Sequence, residues 1–470
     1  MRNHTPNRGR DQVRVHVTDT VAIQTQYAGL CTVYDVWQRL GVAQILDGAG
    51  IHYGDQGDDA EEFSFVLTVA PFIRAPSVTK AAQRFGGEPS LHGQEADALL
   101  EQLLLHSPSQ RQLSRFTATE RYDWGRFQEQ LLQQLWRVPA FAPQRNGVVI
   151  IDDWPLCKPY AECMPYLSPI WDSNLKRKAP GYQVVHLYYD YPGPGGYSLY
   201  VEPWLKTSQT GQTQPKPRSC ARRAREGEER SKLDIALDAL EHYLPLVRDY
   251  EAVLMDNWYT ARWFCAALTE MDVPWIGEAG EGCKFQVGGR NLWVKEIFQF
   301  YRSRKRRLKG FGRRVQAVAI PAIWLRNRST PVDQPVLLVL VTGLARSRPN
   351  DKGYKLLVCN QLHWTAKRVV RLFSRRPHIE QAHRQGKQHA GWKDFHARSL
   401  QALLCHLALC VLRMDLLHLC RLWYPISATY SLPQMIDHLL RYVALLMMVL
   451  FTDQVWLDIP SQHPALGFWT

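Results

Sequence analysis

The sequence predicts an α/β fold with helical regions at both ends and a β-rich insertion, and three observations predict it. Apolar residues recur at three- and four-residue intervals through most of residues 13–145, as in Phe127-Gln128-Glu129-Gln130-Leu131-Leu132-Gln133-Gln134-Leu135-Trp136, which is the period of an amphipathic helix. From Val148 the texture changes to short runs of β-branched and aromatic residues. Helical stretches at 231–247 and 259–271 then bracket one of those runs, the alternation that a mixed α/β domain writes into its sequence.

Taken in order, Ser77 to Gly87 reads as a short helix capped by serine and ended by glycine, with Ser90 opening another. The pair fits a helix-turn-helix and fits an ordinary helical hairpin equally well. A further helix is expected at 98–105. Strands follow at 148–151, 182–189, 197–201 and 252–255, with Pro192-Gly193-Pro194-Gly195-Gly196 making the turn between the second and third. The order strand, strand, strand, helix, strand, helix fits a ribonuclease-H-like domain. Residues 206–230 are polar and charged, the composition of a mobile loop. Strand-like runs at 315–320 and 336–341 make 275–345 an inserted β-rich subdomain, and helices at 399–422 and 433–451 are apolar on broad faces. The expected organisation is therefore a helical region at 1–145, a core at 146–274, the insertion at 275–345, the rest of the core at 346–400 and a helical region at 401–470.

With 57 Lys and Arg against 44 Asp and Glu, the 470-residue chain carries a formal charge of +13, which points to a polyanionic partner, nucleic acid first and an anionic membrane surface second. The basic N-terminus is not followed by an apolar stretch, so no signal peptide is read there and a cytosolic protein is expected. The longest apolar runs, 402–412 and 442–451, are roughly half of the ~20 residues that span a bilayer. Ten cysteines occur without a Cys-x-x-Cys pair and read as core thiols.

The chemistry concentrates in three acidic residues. Asp153 ends the run Val148-Val149-Ile150-Ile151-Asp152-Asp153-Trp154, and Asp256 ends Ala252-Val253-Leu254-Met255-Asp256-Asn257-Trp258-Tyr259. Glu380 lies in the basic segment Phe373-Ser374-Arg375-Arg376-Pro377-His378-Ile379-Glu380, with Lys387 following at helical distance. Two aspartates at strand ends and a glutamate from a later helix can converge on two divalent cations, since hard cations take carboxylate oxygens. Each has a plainer reading alone. Asp256 before a helical run suits an N-cap, and Glu380 suits an ion pair with Arg376 or Arg384 four residues away. Strand side chains alternate faces, so Asp152 and Asp153 do not both point into one site.

These residues resemble the DDE transposases of bacterial insertion sequences, in particular the insertion sequence four superfamily. Its tyrosine-arginine-glutamate-lysine signature reads here as Phe373-x2-Arg376-x3-Glu380-x6-Lys387, with phenylalanine in place of tyrosine. The resemblance covers about residues 145 to 400. It implies a ribonuclease-H-like catalytic domain with metal ligands Asp153, Asp256 and Glu380 and two magnesium or manganese ions. It favours Asp153 over Asp152, because the catalytic aspartate of the family directly precedes a Trp or Thr. Arg376 and Lys387 are then the phosphate-binding pair. The partners implied are double-stranded DNA as transposon ends and target, with a homodimer in the synaptic complex and no membrane.

Arg302, Arg304, Lys305, Arg306, Arg307, Lys309, Arg313 and Arg314 crowd a short segment among Trp293, Phe298, Phe300, Tyr301 and Phe311. A charge run is usually a solvated face, but rings and arginines occur together in nucleic-acid grooves, so the cluster is expected on DNA backbone. The family stacks a flipped base on a tryptophan of the inserted block, for which Trp293 is the candidate and Phe298 the substitute. Trp258 is expected in the core.

Overall fold

The computed structural model describes residues 13–17, 21–25, 29–53, 59–86, 104, 107–161, 164–172, 175–192, 195–205, 223, 228, 230–312, 314–327, 330, 332–344, 353–394, 397–424, 434–436 and 455–458. The chain divides into two compact units, Met1–Ala142 with Glu162–Pro165 and Arg384–Thr470, and Pro143–Ala161 with Tyr166–His383. The first begins with β1 (Val13–Val17), β2 (Val21–Thr25), α1 (Leu30–Leu40), α2 (Val42–Gly48), α3 (Asp59–Val69), α4 (Val78–Arg84), α5 (Gln110–Ala118) and α6 (Trp124–Leu135). The second runs through β3 (Val148–Cys157), β4 (Ser168–Asp172), β5 (Arg177–Asp190), β6 (Tyr197–Trp204), α7 (Lys232–Val247), β7 (Val253–Met255), α8 (Arg262–Glu270), β8 (Trp275–Glu278), β9 (Lys284–Val287) and β10 (Arg290–Trp293). It continues with α9 (Val294–Tyr301), β11 (Arg306–Arg307), β12 (Gln316–Trp324), β13 (Gln334–Thr342), β14 (Tyr354–Cys359), α10 (Ala366–Phe373) and α11 (Pro377–His389), within which the division falls. The first unit closes with α12 (Leu400–Trp423) and β15 (Val455–Asp458).

In the first unit α12 is the central element and packs against α1, α3, α5 and α6. Its partner α6 buries Trp124, Phe127, Leu131, Leu132 and Leu135, a three-and-four spacing that aims one stripe inward, and Asp123 caps it by accepting from the Arg126 amide at 2.8 Å. At 24 residues α12 is long and apolar enough to cross a membrane, and 83% of its apolar window is buried inside the protein. Val13–Val17 and Val21–Thr25, at the start of the stretch expected to be mostly helical, instead form β1 and β2, with β15 pairing on β1 from the far end of the chain. That pairing is non-local, but the alternation Val13-Arg14-Val15-His16-Val17 is itself a local strand signal that the helical expectation passes over. Ser77 does cap α4, accepting from the Lys80 amide at 3.2 Å. The second helix of the expected helix-turn-helix, most of the helix at 98–105, most of 206–230 and most of the helix at 433–451 lie outside the described residues.

The second unit is built on a 12-stranded mixed sheet, ordered β10-β9-β12-β13-β14-β8-β7-β3-β5-β4, with β11 on β12 and β6 on β5. Only β3 with β7 and β7 with β8 pair in parallel among the described strands. The strands of the block at 275–345 continue this sheet, because β14 returns between β13 and β8 and pairs with both. Leu356, Leu357, Val358 and Cys359 of β14 are all buried, the all-apolar pattern of an interior strand covered on both faces. On one face Val148, Ile150, Ala252, Leu254 and Leu357 pack against Val369, Val370, Leu372 and Phe373 of α10 and Ile379 and Ala382 of α11.

Candidate active site

Parallel pairing of β3 with β7 sets Ile150 beside Leu254 and Ile151 beside Met255, so Asp152, in the middle of β3, and Asp256, just past the end of β7, lie at the same level. Alternation then decides the face. Asp152 shares the parity of Val148 and Ile150, whose side chains lie under α10 and α11, whereas Asp153 shares that of Val149 and Ile151 on the opposite face.

The turn between α10 and α11 supplies the cation that joins the set. Phe373 ends α10, Pro377 opens α11, and Arg376 occupies the turn between them. Proline is tolerated at this first helical position, where its missing N–H has no helical acceptor. The Arg376 guanidinium lies 2.9 Å from Asp152 Oδ2 and 3.6 Å from Asp256 Oδ2, and donates through Nη1 to Glu380 Oε1 one helical turn on. Three carboxylates from β3, from the end of β7 and from α11 thus meet on one guanidinium. Asp256 also fulfils the plainer expectation, since its Oδ1 accepts from the amides of Trp258 (2.9 Å) and Tyr259 (3.1 Å). One oxygen caps the turn and the other faces Arg376.

Asp153 takes a different partner. Both its oxygens accept from Lys232 Nζ at 3.0 Å, and that ammonium sits 3.8 Å from the ring centre of Trp258. Lys232 is buried at the start of α7, behind the capping box of Ser231 and Asp234. Nothing local in the sequence marks it as a site residue, because its partner is distant in sequence. Trp258, expected in the core, is 40% exposed and serves as the aromatic wall for this ammonium.

Burial pushes the Asp152 carboxyl up to about 7; Arg376 opposes the shift, and the neighbouring Asp256 and Asp153 add to it. Asp153 is raised as well, by burial first, with Lys232 opposing. Burial works against the charge on Arg376, but Asp152, Asp256 and Glu380 together outweigh it and hold its pKa above the ordinary value. Four carboxylates therefore share two cationic side chains, an excess of negative charge that favours taking up cations.

Two contacts fix α11. Asp190, at the end of β5, receives Arg375 Nε at 2.6 Å and faces His378 Nδ1 at 2.9 Å. Deeper in, His186 on β5 lies 2.9 Å from His383 on α11 and 2.9 Å from Ser198 on β6, with Trp154 edge-on to both imidazoles. Since His186 stands opposite Asp152 in the strand register, the same rung carries one carboxylate and anchors the helix that carries another. Lys387 lies in the last turn of α11, in the part of the helix that groups with the other unit.

The basic segment is split among a 3-10 turn at Arg302–Arg304, β11 and the approach to β12. Arg302, Arg304, Arg306, Arg307, Lys309 and Arg314 are exposed, and Arg313 lies outside the described residues. Lys305 is half-buried and donates to Thr342 Oγ1 at 3.1 Å, so it also ties the segment to β13. Trp293 is 45% exposed with Lys284 Nζ 5.2 Å from its ring centre, whereas Phe298 stacks on Tyr354 at 4.0 Å and has one face already taken.

Among the described residues no three acidic, histidine or cysteine side chains are grouped as a ready metal cage. The donor set nevertheless suits a divalent cation: the carboxylate oxygens of Asp152, Asp256 and Glu380 already converge on one positive group, the Arg376 guanidinium, which stands where a hard cation would be held. Residues 97–323 match the model of a family described as DDE superfamily endonuclease. No curated protein matches the chain. The matched stretch contains Asp152, Asp153, Lys232 and Asp256 and ends before Arg376 and Glu380, and it supports a DDE-type endonuclease domain, of the transposase-like kind, within this chain.

Proposed function

We propose that this protein is a DNA transposase of ribonuclease-H-like fold, which binds the terminal inverted repeats of a mobile element, cleaves at their ends and joins the freed 3′-hydroxyl to target DNA. A DDE endonuclease domain implies a nuclease or polynucleotidyl transferase with DNA as substrate. The observation that carries the finer reading is the meeting of Asp152, Asp256 and Glu380 at Arg376. The strand order β6-β5-β3-β7-β8, antiparallel on one side of β3 and parallel on the other, supports the ribonuclease-H-like assignment.

In this reading Asp152, Asp256 and Glu380 hold divalent magnesium or manganese, with Asp153 available from the opposite side of the strand. The bound ions supply an activated water and a stabilised leaving oxygen. Arg376 gives up the carboxylates to them and forks onto a phosphate of the cut end, a role suited to a planar guanidinium with paired donors. Lys232 holds Asp153 in place, and His186 and His383 hold the helix of Glu380 in register. Lys387 adds a point charge for the same end, and Arg302 to Arg314 with Trp293 hold the flanking duplex, in a cytoplasmic homodimer. An assay of strand joining tests the proposal: a pre-cut end should be joined to target DNA with magnesium present. Cleavage without joining would make the protein a nuclease or resolvase, and neither activity would leave a DNA-binding protein without chemistry.

A further inference from the structure

We propose that the ribbon of β4 with the first half of β5 is a second DNA-contacting arm, separate from the basic segment at Arg302 to Arg314; the proposal rests on the reading of this protein as DNA-acting. Strand β3 ends at Cys157 opposite Gly181, the next amide, Lys158 N–H, donates to Pro180 O at 2.7 Å, and beyond that point residues 177–180 of β5 have β4 as their strand partner. Directly opposed residues of an antiparallel pair share a face. One face of the ribbon carries Ile170 opposite Ala179, both buried. The other carries Pro169 opposite Pro180 and Trp171 opposite Lys178, all exposed.

Trp171 is 59% exposed, a large aromatic surface left in water beside an ammonium. The turn adds Leu175, Lys176 and Arg177, also exposed, so Lys178 stands on the face of the ring while Lys176 and Arg177, the latter opposite Asp172, add positive charge at the tip of the same ribbon. A ring for stacking and adjacent cations for phosphate are the two components of a nucleic-acid contact. Exposed Tyr160, in the turn after β3, offers a second ring. The prolines weigh against a second protein chain adding as a strand, since neither can donate a backbone hydrogen bond along the ribbon. At about 3.4 Å per residue, β5 carries Lys178 on the order of 25 Å from His186, the residue opposite Asp152. That reach corresponds to about seven base pairs of duplex, so the arm grips DNA well away from the phosphate at the carboxylates.

The test uses the full chain and a random-sequence duplex, with Trp171→Ala, Trp171→Phe and the triple change Lys176→Ser, Arg177→Ser, Lys178→Ser. These side chains are exposed, so melting temperatures should match the wild type. Trp171→Ala should weaken binding roughly five- to hundredfold and Trp171→Phe should recover most of it. The triple variant should flatten the slope of log affinity against log salt by about 0.9 for each phosphate no longer neutralised. Wild-type binding with unchanged affinity and salt slope in the variants overturns the arm alone. Altered self-association with intact DNA binding also overturns it, in favour of a second copy. A wild-type protein that binds no duplex overturns the arm together with the functional reading beneath it.

Discussion

Arg413 in one compact unit is buried and Arg376 in the other is largely withdrawn from solvent, and the two are satisfied by different acceptors. Arg413 of α12 is 1% exposed and donates to backbone carbonyls, Thr68 at 2.6 Å, Leu67 at 3.0 Å and Ala390. Arg376 donates to side-chain carboxylates brought from three elements. A carbonyl of the main chain is fixed and neutral, so the Arg413 arrangement has one solution and staples the helices around it. Carboxylates can turn, and they accept a metal ion as readily as a guanidinium. A buried cation held by backbone is architecture, whereas one held by several acids is where the proposed metal ions would compete with the guanidinium.

The largest expected effect separates the carboxylates from everything else. Asp152→Ala, Asp256→Ala and Glu380→Ala should each lower magnesium-dependent cleavage about a thousandfold or more, several kcal/mol of transition-state stabilisation, while DNA binding is largely kept. Asp153→Ala should keep measurable activity, because its partner is Lys232. The resemblance read from sequence gives the reverse order for the two aspartates, and a dead Asp153→Ala beside an active Asp152→Ala would sink the assignment made from strand parity.

A smaller effect breaks the two arginines apart. Arg413→Met should cost on the order of 3 kcal/mol by orphaning buried carbonyls, with no recovery when magnesium is added. Arg376→Gln leaves carboxylates facing one another, so its melting temperature should fall in chelator and climb back with magnesium, as expected when an ion binds only the folded state. Equal responses of the two variants to magnesium would erase the distinction.

Buried histidines sharpen the comparison through pH. Burial lowers His186 to about 3 in one unit and His418 to about 4 in the other, so both are neutral when folded and near 6.5 when unfolded. The unfolded chain binds the extra protons, hence each histidine's contribution is fully present above about pH 6.5 and is lost on acidification, by up to about 1.4 kcal/mol per pH unit. The raised carboxyls of Asp152, Asp153 and Asp415 act with the opposite sign, so the histidine part is read as the difference between wild type and variant. Urea titrations from neutral pH downward should show it, and His186→Asn and His418→Gln should each flatten the slope. The smallest effect concerns exposed arginines: neutralising Arg302, Arg304, Arg306 and Arg307 should weaken specific and random duplexes alike and flatten the salt slope by about 0.9 per phosphate released. An unchanged slope would leave that segment a solvated loop.

The composition and local pattern of the chain determined its basic charge, the α/β alternation, the positions of β6, β7, α7 and α8 within a few residues, the start of β3 and the end of β5, and the short set of acids and bases from which a site could be built. These are local properties, since strand ends, caps and helical periods are written in neighbouring residues. Strand β3 runs on to Cys157 and β5 begins at Arg177, beyond the runs that local pattern marks. Tertiary structure decided what needed distant partners. The parallel register of β3 and β7 chose Asp152 as the neighbour of Asp256, and β14 returning beside β8 made the block at 275–345 part of one sheet. Folding also brought Lys232 to Asp153 and His186 to His383 across long stretches of chain. Periodicity reports which face of an element is apolar, but the choice of neighbour is made by packing, and a charge buried by that packing is legible only once its partner is in place.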